Sequence, residues 1–310
     1  MMYMREMMMT GVMRKIGKTY LLSLAGLLIF ATMISCRKHR EHLPIVEHYD
    51  KTDEIIVSVA PETTEIEPII DYERELLLPI QVIKRPEFII QRKSYICSYN
   101  KETRCANWSA WYLPKEHADG PYKRKELKIP GNYIEDESSL EGRQLLSDWD
   151  GVFNYDHGHL CPSGDNKWDR EAMKQTFYLS NMCVQNSSLN QGPWEHLEST
   201  CREWAKKFQS IYIVSGPVFK TKPIKKIGKG LSIPDQFFKV VLCIDSEEPK
   251  AIGFIYDNSD PIDGDKLDSH VLSVDEIEKI TGYDFFSALP DEVENFIEAN
   301  YSLKDWKIYR

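Results

Sequence analysis

Short apolar and β-branched runs separated by polar turns dominate the chain from Arg85 onward, and this pattern predicts strands first. FIIQRKSYIC and CANWSAWYL flank a polar turn and predict a β-hairpin. A polar, turn-rich stretch from Pro114 to Asp150 follows. The period then changes: Trp194, Leu197, Cys201, Trp204, Ala205 and Phe208 recur at helical spacing, with Gly192 and Pro193 suited to a helix start. SIYIVSGPVF, QFFKVVLCID and AIGFIYDN predict buried strands, the first two joined by the lysine-rich loop KTKPIKKIGKG. The tail VDEIEKITGYDFFSALPDEVENFIEANY is amphipathic and helical, with a turn at Ala288-Leu289-Pro290. Strands and helices mix without regular βαβ alternation, and no repeat shows. The expected class is α+β, with one domain over residues 85–310.

The amino terminus has a different logic. Residues 19–35 are apolar, are led by Arg14, Lys15 and Lys18, and end in Ser35 before Cys36. This basic, apolar, small-residue order marks a targeting segment. Ile34-Ser35-Cys36 resembles a bacterial lipobox, with Met33 where Leu is usual. It implies that residues 1–36 are a signal peptide and that a lipidated Cys36 is the first mature residue. An uncleaved anchor helix and ordinary secretion are the alternatives, the run of about 17 residues being near the lower limit for a span. All three place the remainder outside the cytoplasm, and the lipid anchor places it on a membrane of the cell envelope. Met13 is a more sensible start for such a signal than Met1. Residues 37–84 mix charge with scattered Ile, Val and Pro and read as a tether.

At 42% hydrophobic and 28% charged residues, the composition excludes collagen, coiled coil and wholesale disorder. The formal charge of −9 argues against coating a polyanion by bulk positive charge, and loss of the leader makes the chain more negative. Six cysteines remain, an even number that favours disulfides in an oxidising compartment, and the lack of CxxC argues against a zinc knuckle. Cys97 and Cys105 bracket SYNKETR, a predicted turn, and are the first expected pair.

The chemistry concentrates between Asp156 and Arg202. Two histidines two residues apart on a strand point the same way, so His157 and His159 suit a metal pair, or a general base held by a carboxylate, or an incidental surface turn. Gly158 permits a kink or close approach between them. Asn190 and Glu198 are oxygen donors suited to a hard divalent ion, but an unbroken helix would set them about 12 Å apart along its axis. One can bind the ion while the other acts through its water shell. Arg202 lies four residues beyond Glu198, within reach of a salt bridge to it.

Together, Tyr155-Asp156-His157-Gly158-His159-Leu160-Cys161-Pro162-Ser163, the later TFYLSNMCVQ, and Asn190, Trp194, Leu197, Glu198 and Arg202 resemble the DNA/RNA non-specific endonucleases, members of the ββα-metal (His-Me finger) nucleases. The resemblance runs from about Arg85 to the end of the chain. It implies a mixed, largely antiparallel sheet flanked by helices, with a ββα-metal finger as active site. Carried over, His159 is the general base, and Asn190 is the one direct protein ligand of Mg²⁺, with Mn²⁺ as a substitute. Glu198 orients metal-bound waters, Arg202 meets the phosphate, and Asp156 is structural. The implied activity is hydrolysis of DNA or RNA with little sequence specificity, leaving 5′-phosphate ends.

His157 stands where the family usually has Arg. It could replace that contact when protonated, which would favour mildly acid pH. Arg124 is the candidate for a further phosphate contact, with Arg143 as competitor. Lys222, Lys225, Lys226 and Lys229 could steer a nucleic-acid backbone or merely solvate their loop, and contacts of the first kind weaken with salt. Two other functions stay open: a catalytically weak nucleic-acid-binding lipoprotein on the same scaffold, and a zinc hydrolase using His157 and His159. The second lacks a third ligand at a customary spacing.

Overall fold

Continuous burial, rather than alternation, marks the central strands: every residue of SIYIVSGPV is buried, as is all but the first of QFFKVVLC. Such strands must be covered on both faces. The computed structural model describes residues 72–246, 248–261 and 266–307. Nine strands position the candidate site: β1 (Phe88–Gln91), β2 (Ile96–Asn100), β3 (Cys105–Pro114), β4 (Tyr155–His159), β5 (Met182–Asn186), β6 (Ser210–Val218), β7 (Gln236–Cys243), β8 (Lys250–Asp257) and β9 (Val271–Leu272). Seven of them form one sheet in the order β9-β8-β7-β6-β3-β2-β1. Every neighbouring pair in it is antiparallel. β4 and β5 stand apart as an antiparallel two-stranded finger.

The helices used below are α1 (Arg170–Gln175), α2 (Glu195–Phe208), α3 (Val274–Thr281) and α4 (Asp291–Ala299). The fold is α+β, as the mixed pattern predicts. The helical period holds: Trp194, Leu197, Cys201, Trp204, Ala205 and Phe208 are all buried, in one cluster with Ile211, Ile213, Val241, Ile252 and Phe254 of the sheet. That apolar stripe docks α2 on one face. On β8, Gly253 makes room for α3, since an added Cβ would sit 2.6 Å from Ile277 Cγ1.

Two asparagines, Asn181 buried and Asn258 half-buried, fix the finger. Asn181 accepts from Cys161 N and Ser109 Oγ and donates to Cys161 O and Thr176 O. Asn258 accepts from Asn186 N and donates to Val184 O and Pro234 O. Each satisfies backbone groups that would otherwise be stranded at the join between finger and sheet.

The body begins before Arg85. Tyr72–Glu75 form a helical turn, Leu76 and Leu77 are buried, and Ile80–Gln81 pair with Tyr283–Asp284. The expected tether therefore loses its last dozen residues to the fold, because two adjacent leucines and a strand pairing hold them there. The leader, Cys36 and the rest of that tether lie outside the described residues.

Cys97 and Cys105 do not pair. The register sets Cys97 opposite Ser109 and Cys105 opposite Asn100, with a shift at Ser98/Tyr99, so the two thiols sit at different rungs. All six described cysteines are free and buried. The lysine-rich loop closes on itself through the pairing of Lys226–Ile227 with Leu231–Ser232, with Lys222, Lys225, Lys226 and Lys229 exposed. Lys229 Nζ lies 3.3 Å from Asp150. Among the described residues, no helix is long and apolar enough to cross a membrane.

Candidate active site

The finger brings residues from four stretches of chain around one cleft of about 380 Å³, lined by Arg124, Tyr133, Tyr155, Asp156, His157, His159, Asn190 and Gln191. His157 and His159 share a face of β4, as strand periodicity requires. Both approach the Tyr133 ring, at 3.9 Å and 6.5 Å between centroids. Between them Gly158 leaves space for the Gln185 side chain, which a Cβ would meet at 2.3 Å.

After β5 the chain turns directly into a helix. Asn186 Oδ1 accepts from Ser188 N and Leu189 N, capping Ser187–Leu189. The path then widens into a π turn over Asn190–Trp194, where Gly192 is non-helical and Pro193 can donate no backbone hydrogen bond, before continuing as α2. Helical structure thus starts before Gly192 and Pro193. Those two residues mark the wide turn and not the start.

Asp156 holds that turn. Its carboxylate accepts from Ser187 Oγ at 2.9 Å and from Asn190 Nδ2 and Gln191 Nε2 at 2.8 Å each. Burial pushes this carboxyl up, but the bonds from Gln191, Asn190 and Ser187 outweigh it and hold it below the usual range. With Nδ2 committed to Asp156, the Asn190 Oδ1 is the amide atom left to serve a hard cation.

His159 lies edge-on to Phe177, with centroids 5.1 Å apart. Its Nε2 is buried without a hydrogen-bond partner. Burial, with Arg124 and His157 adding to it, lowers the imidazole to about 3, so the ring is neutral at physiological pH. Arg124 stands over the Phe177 and Tyr133 rings, 4.8 Å and 5.4 Å from their centroids, and has no carboxylate partner among the described residues. Its competitor Arg143 is spent elsewhere, donating to Asp136 O at 2.7 Å and Glu135 at 3.3 Å.

His157 has a setting the sequence did not suggest. Trp149 and Tyr133 stack on its two faces at 3.6 Å and 3.9 Å. Burial lowers it to about 4 against the pull of Asp156, which removes the basis for a protonated phosphate contact in mildly acid solution.

Glu198 and Arg202 do not line the cleft. Arg202 pairs with Asp165 at 3.0 Å, and not with Glu198, and also donates to Ser199 Oγ. Asp165 is in turn held by Trp111 Nε1. Burial pushes Glu198 up to about 8 against nearby Lys239. Lys239 is itself buried, its Nζ 4.7 Å from the Trp194 ring and 5.0 Å from the Trp111 ring. Among the described residues, no group of three His, Cys, Asp or Glu ligands includes His157 or His159, which leaves the zinc reading without a ligand set.

Tyr133, Trp149, Gln191 and Asp165 escaped sequence reasoning. Asp165 and Gln191 at least sit beside motif residues. Tyr133 and Trp149 come from the turn-rich stretch and carry no local signal.

Residues 84–292 match the family described as DNA/RNA non-specific endonuclease. "Nuclease EXOG, mitochondrial" of Xenopus laevis is 31% identical over 256 residues, 78% of this chain and 67% of that protein. The mouse protein of the same name is 31% identical, and this chain spans 56% of its length. A "Nuclease" of Nostoc sp. is 30% identical over 79% of this chain and 91% of its own length. In fold, the chain is similar to a structure titled as an EndoG/EndoGI complex, with TM-score 0.60 and 22% identity over 66% of this chain and 88% of that one. With 30% identity to the Nostoc protein across most of both chains, and a family match over more than half of this one, the chain belongs to the DNA/RNA non-specific endonuclease family.

Proposed function

We propose that this chain is a divalent-metal-dependent endonuclease that hydrolyses phosphodiester bonds of DNA and RNA with little sequence specificity and leaves 5′-phosphate ends. The observation that carries the reading is the meeting, in one cleft, of a neutral imidazole, a carboxamide with its oxygen left free, and an unpaired guanidinium: His159, Asn190 and Arg124. These residues fit Mg²⁺ or Mn²⁺, since Asn190 offers a hard oxygen and the remaining positions would fall to water and phosphate. When bound, such a cation supplies charge neutralisation and acidified water.

This chain's own residues do the rest. His159 takes the proton of the attacking water, a role that needs the neutral ring its burial maintains. Asp156 keeps the Asn190 carboxamide in one orientation, as outer residues do at metal sites. Arg124 stabilises charge gathering on the phosphate. Glu198 and Arg202 act from behind the cleft as positioning residues, through Asp165 and the helix that bears Asn190. Contact with phosphate, metal and water, without reading base edges, makes cleavage indifferent to sequence. Lipidation at Cys36 would hold the enzyme at the cell envelope, facing external nucleic acid.

Incubating purified protein with plasmid and with single-stranded RNA, in Mg²⁺ and in EDTA, tests the activity. Nicking that needs the metal and is lost in His159→Ala and Asn190→Ala is expected, and binding without nicking by the parent protein overturns the reading. Cys36→Ser tests the anchor, and the protein should leave the membrane fraction.

A further inference from the structure

Four carboxylates are buried among the described residues: Asp136, Asp148, Asp165 and Glu298. Three of them are hydrogen-bonded to a cation and to a further donor. Asp136 meets Arg92 and both the amide and hydroxyl of Ser180; Asp148 meets Arg104 and Leu145 N; Asp165 meets Arg202 and Trp111. Glu298 on α4 is the exception. It is 5% exposed, and its Oε1 is sealed from solvent with no hydrogen-bond partner. An unsatisfied buried carboxyl oxygen is costly and calls for something to compensate it.

Its surroundings point to what that is. Asp275 and Glu278 on α3 each bring an oxygen toward Glu298, and the three ligand atoms lie within 4.8 Å of one another. Two oxygens on opposite sides of a calcium ion, with bonds of about 2.3–2.6 Å, are separated by about that distance. Asp284 and Glu294 add negative charge to the same place. None of the five has a Lys or Arg partner among the described residues.

The scaffold is fixed before any ligand arrives. Ser273 and Glu276 close a capping box at the start of α3, which places Asp275 and Glu278 one turn apart on a shared face. Glu278 Oε1 accepts from Phe285 N at 2.8 Å, which orients the carboxylate. Donors that are all oxygen select a hard cation, and an irregular carboxylate cage suits calcium better than magnesium, which demands near-ideal octahedral geometry.

We propose that Asp275, Glu278 and Glu298 form a calcium-binding site that joins α3 to α4, separate from the nuclease cleft. None of these residues lines that cleft. With no cation present, the carboxyls answer their mutual repulsion with protons. Burial and the neighbouring acids push Glu298 up to about 9, and burial pushes Glu278 up to about 7.

The test uses the full chain at pH 8, stripped with EDTA and then titrated with CaCl₂, followed by thermal unfolding and by calorimetry. Asn190→Ala serves as the background that removes the proposed cleft ligand. One calcium per chain is expected in that background, with Tm rising by about 5 °C at a hundredfold excess over Kd. Glu298→Gln should lose at least tenfold in affinity and most of the shift. Asp275→Asn, at a half-buried position, gives a second variant should Glu298→Gln fail to fold, and it should weaken binding in the same direction. No heat and no shift in the Asn190→Ala protein, or an unchanged response in a folded Glu298→Gln or Asp275→Asn protein, overturns the site.

Discussion

The finger and the α3/α4 corner both bury ionisable groups, and burial drives both toward neutrality, but with opposite consequences. In the finger the buried groups are bases, and each has neighbours suited to the uncharged ring: His157 lies between Trp149 and Tyr133, and His159 is edge-on to Phe177. In the corner they are acids, and what surrounds Glu298 is more acid. A neutral imidazole can accept a proton, as the proposed base must, whereas a neutral carboxyl among carboxyls would regain its charge beside a cation, as the proposed calcium site requires. The same desolvation would serve proton transfer in one region and cation binding in the other.

The most damaging way to break the comparison is to remove the proposed base. His159→Ala should lower kcat on plasmid DNA by about 10³-fold, within the range a positioned general base supplies, while the far-UV spectrum stays unchanged. Next comes the residue that aims the proposed metal ligand. Asp156→Ala frees the Asn190 amide to flip, and should cost about 10- to 100-fold in activity and raise the Mg²⁺ concentration needed for half-maximal rate. Metal titrations of initial rate would detect both effects. Arg124→Ala should cost about tenfold, chiefly in kcat/KM, and Arg143→Ala less than twofold, because Arg143 is occupied by Asp136 and Glu135.

The subtlest prediction concerns stability against pH. His157 and His159 have folded values of about 4 and 3, below the unfolded value near 6.5, so the unfolded chain binds more protons in that window. Their contribution is present above about pH 6.5 and is lost as pH falls toward 3. Glu278 and Glu298 are raised to about 7 and 9, above an unfolded value near 4.3, so the folded chain holds more protons there. Their contribution is present below about pH 4.3 and is lost as pH rises through 7 to 9. Unfolding in urea across pH, in EDTA, should therefore show both limbs. Glu298→Gln should flatten part of the alkaline limb alone, with Glu278 and Glu198 keeping the rest, and His157→Phe should flatten part of the acid limb alone.

Much of the finger was legible because its chemistry is local. The stripe from Trp194 to Phe208 follows from periodicity within a few residues, whereas the strand bearing His157 and His159 was reached through the short run of residues that carries the family resemblance. What stayed hidden depends on partners brought from elsewhere. Arg202 finds Asp165, 37 residues earlier, in preference to Glu198 one turn away. His157 is neutral because two rings from an unpatterned stretch close over it, and no spacing rule foretells that stacking. The expected bond between Cys97 and Cys105 failed because the hairpin closes with Cys105 opposite Asn100, three residues along the strand from Cys97, a detail of register that composition does not encode. The corner acids were visible only as part of an amphipathic tail, since α3 and α4 meet through tertiary packing.

The wide turn at Asn190–Trp194 sets an angle as well as a path. Successive residues of an ordinary helix are rotated by about 100°, so trimming one residue from this loop of backbone would swing everything before it around the axis by roughly that amount. The carboxamide at its start would then look along the protein surface while the buried stripe behind it stayed where it was. The extra residue works like a washer under a bolt head, letting the core tighten fully while the carboxamide in front still faces the cleft.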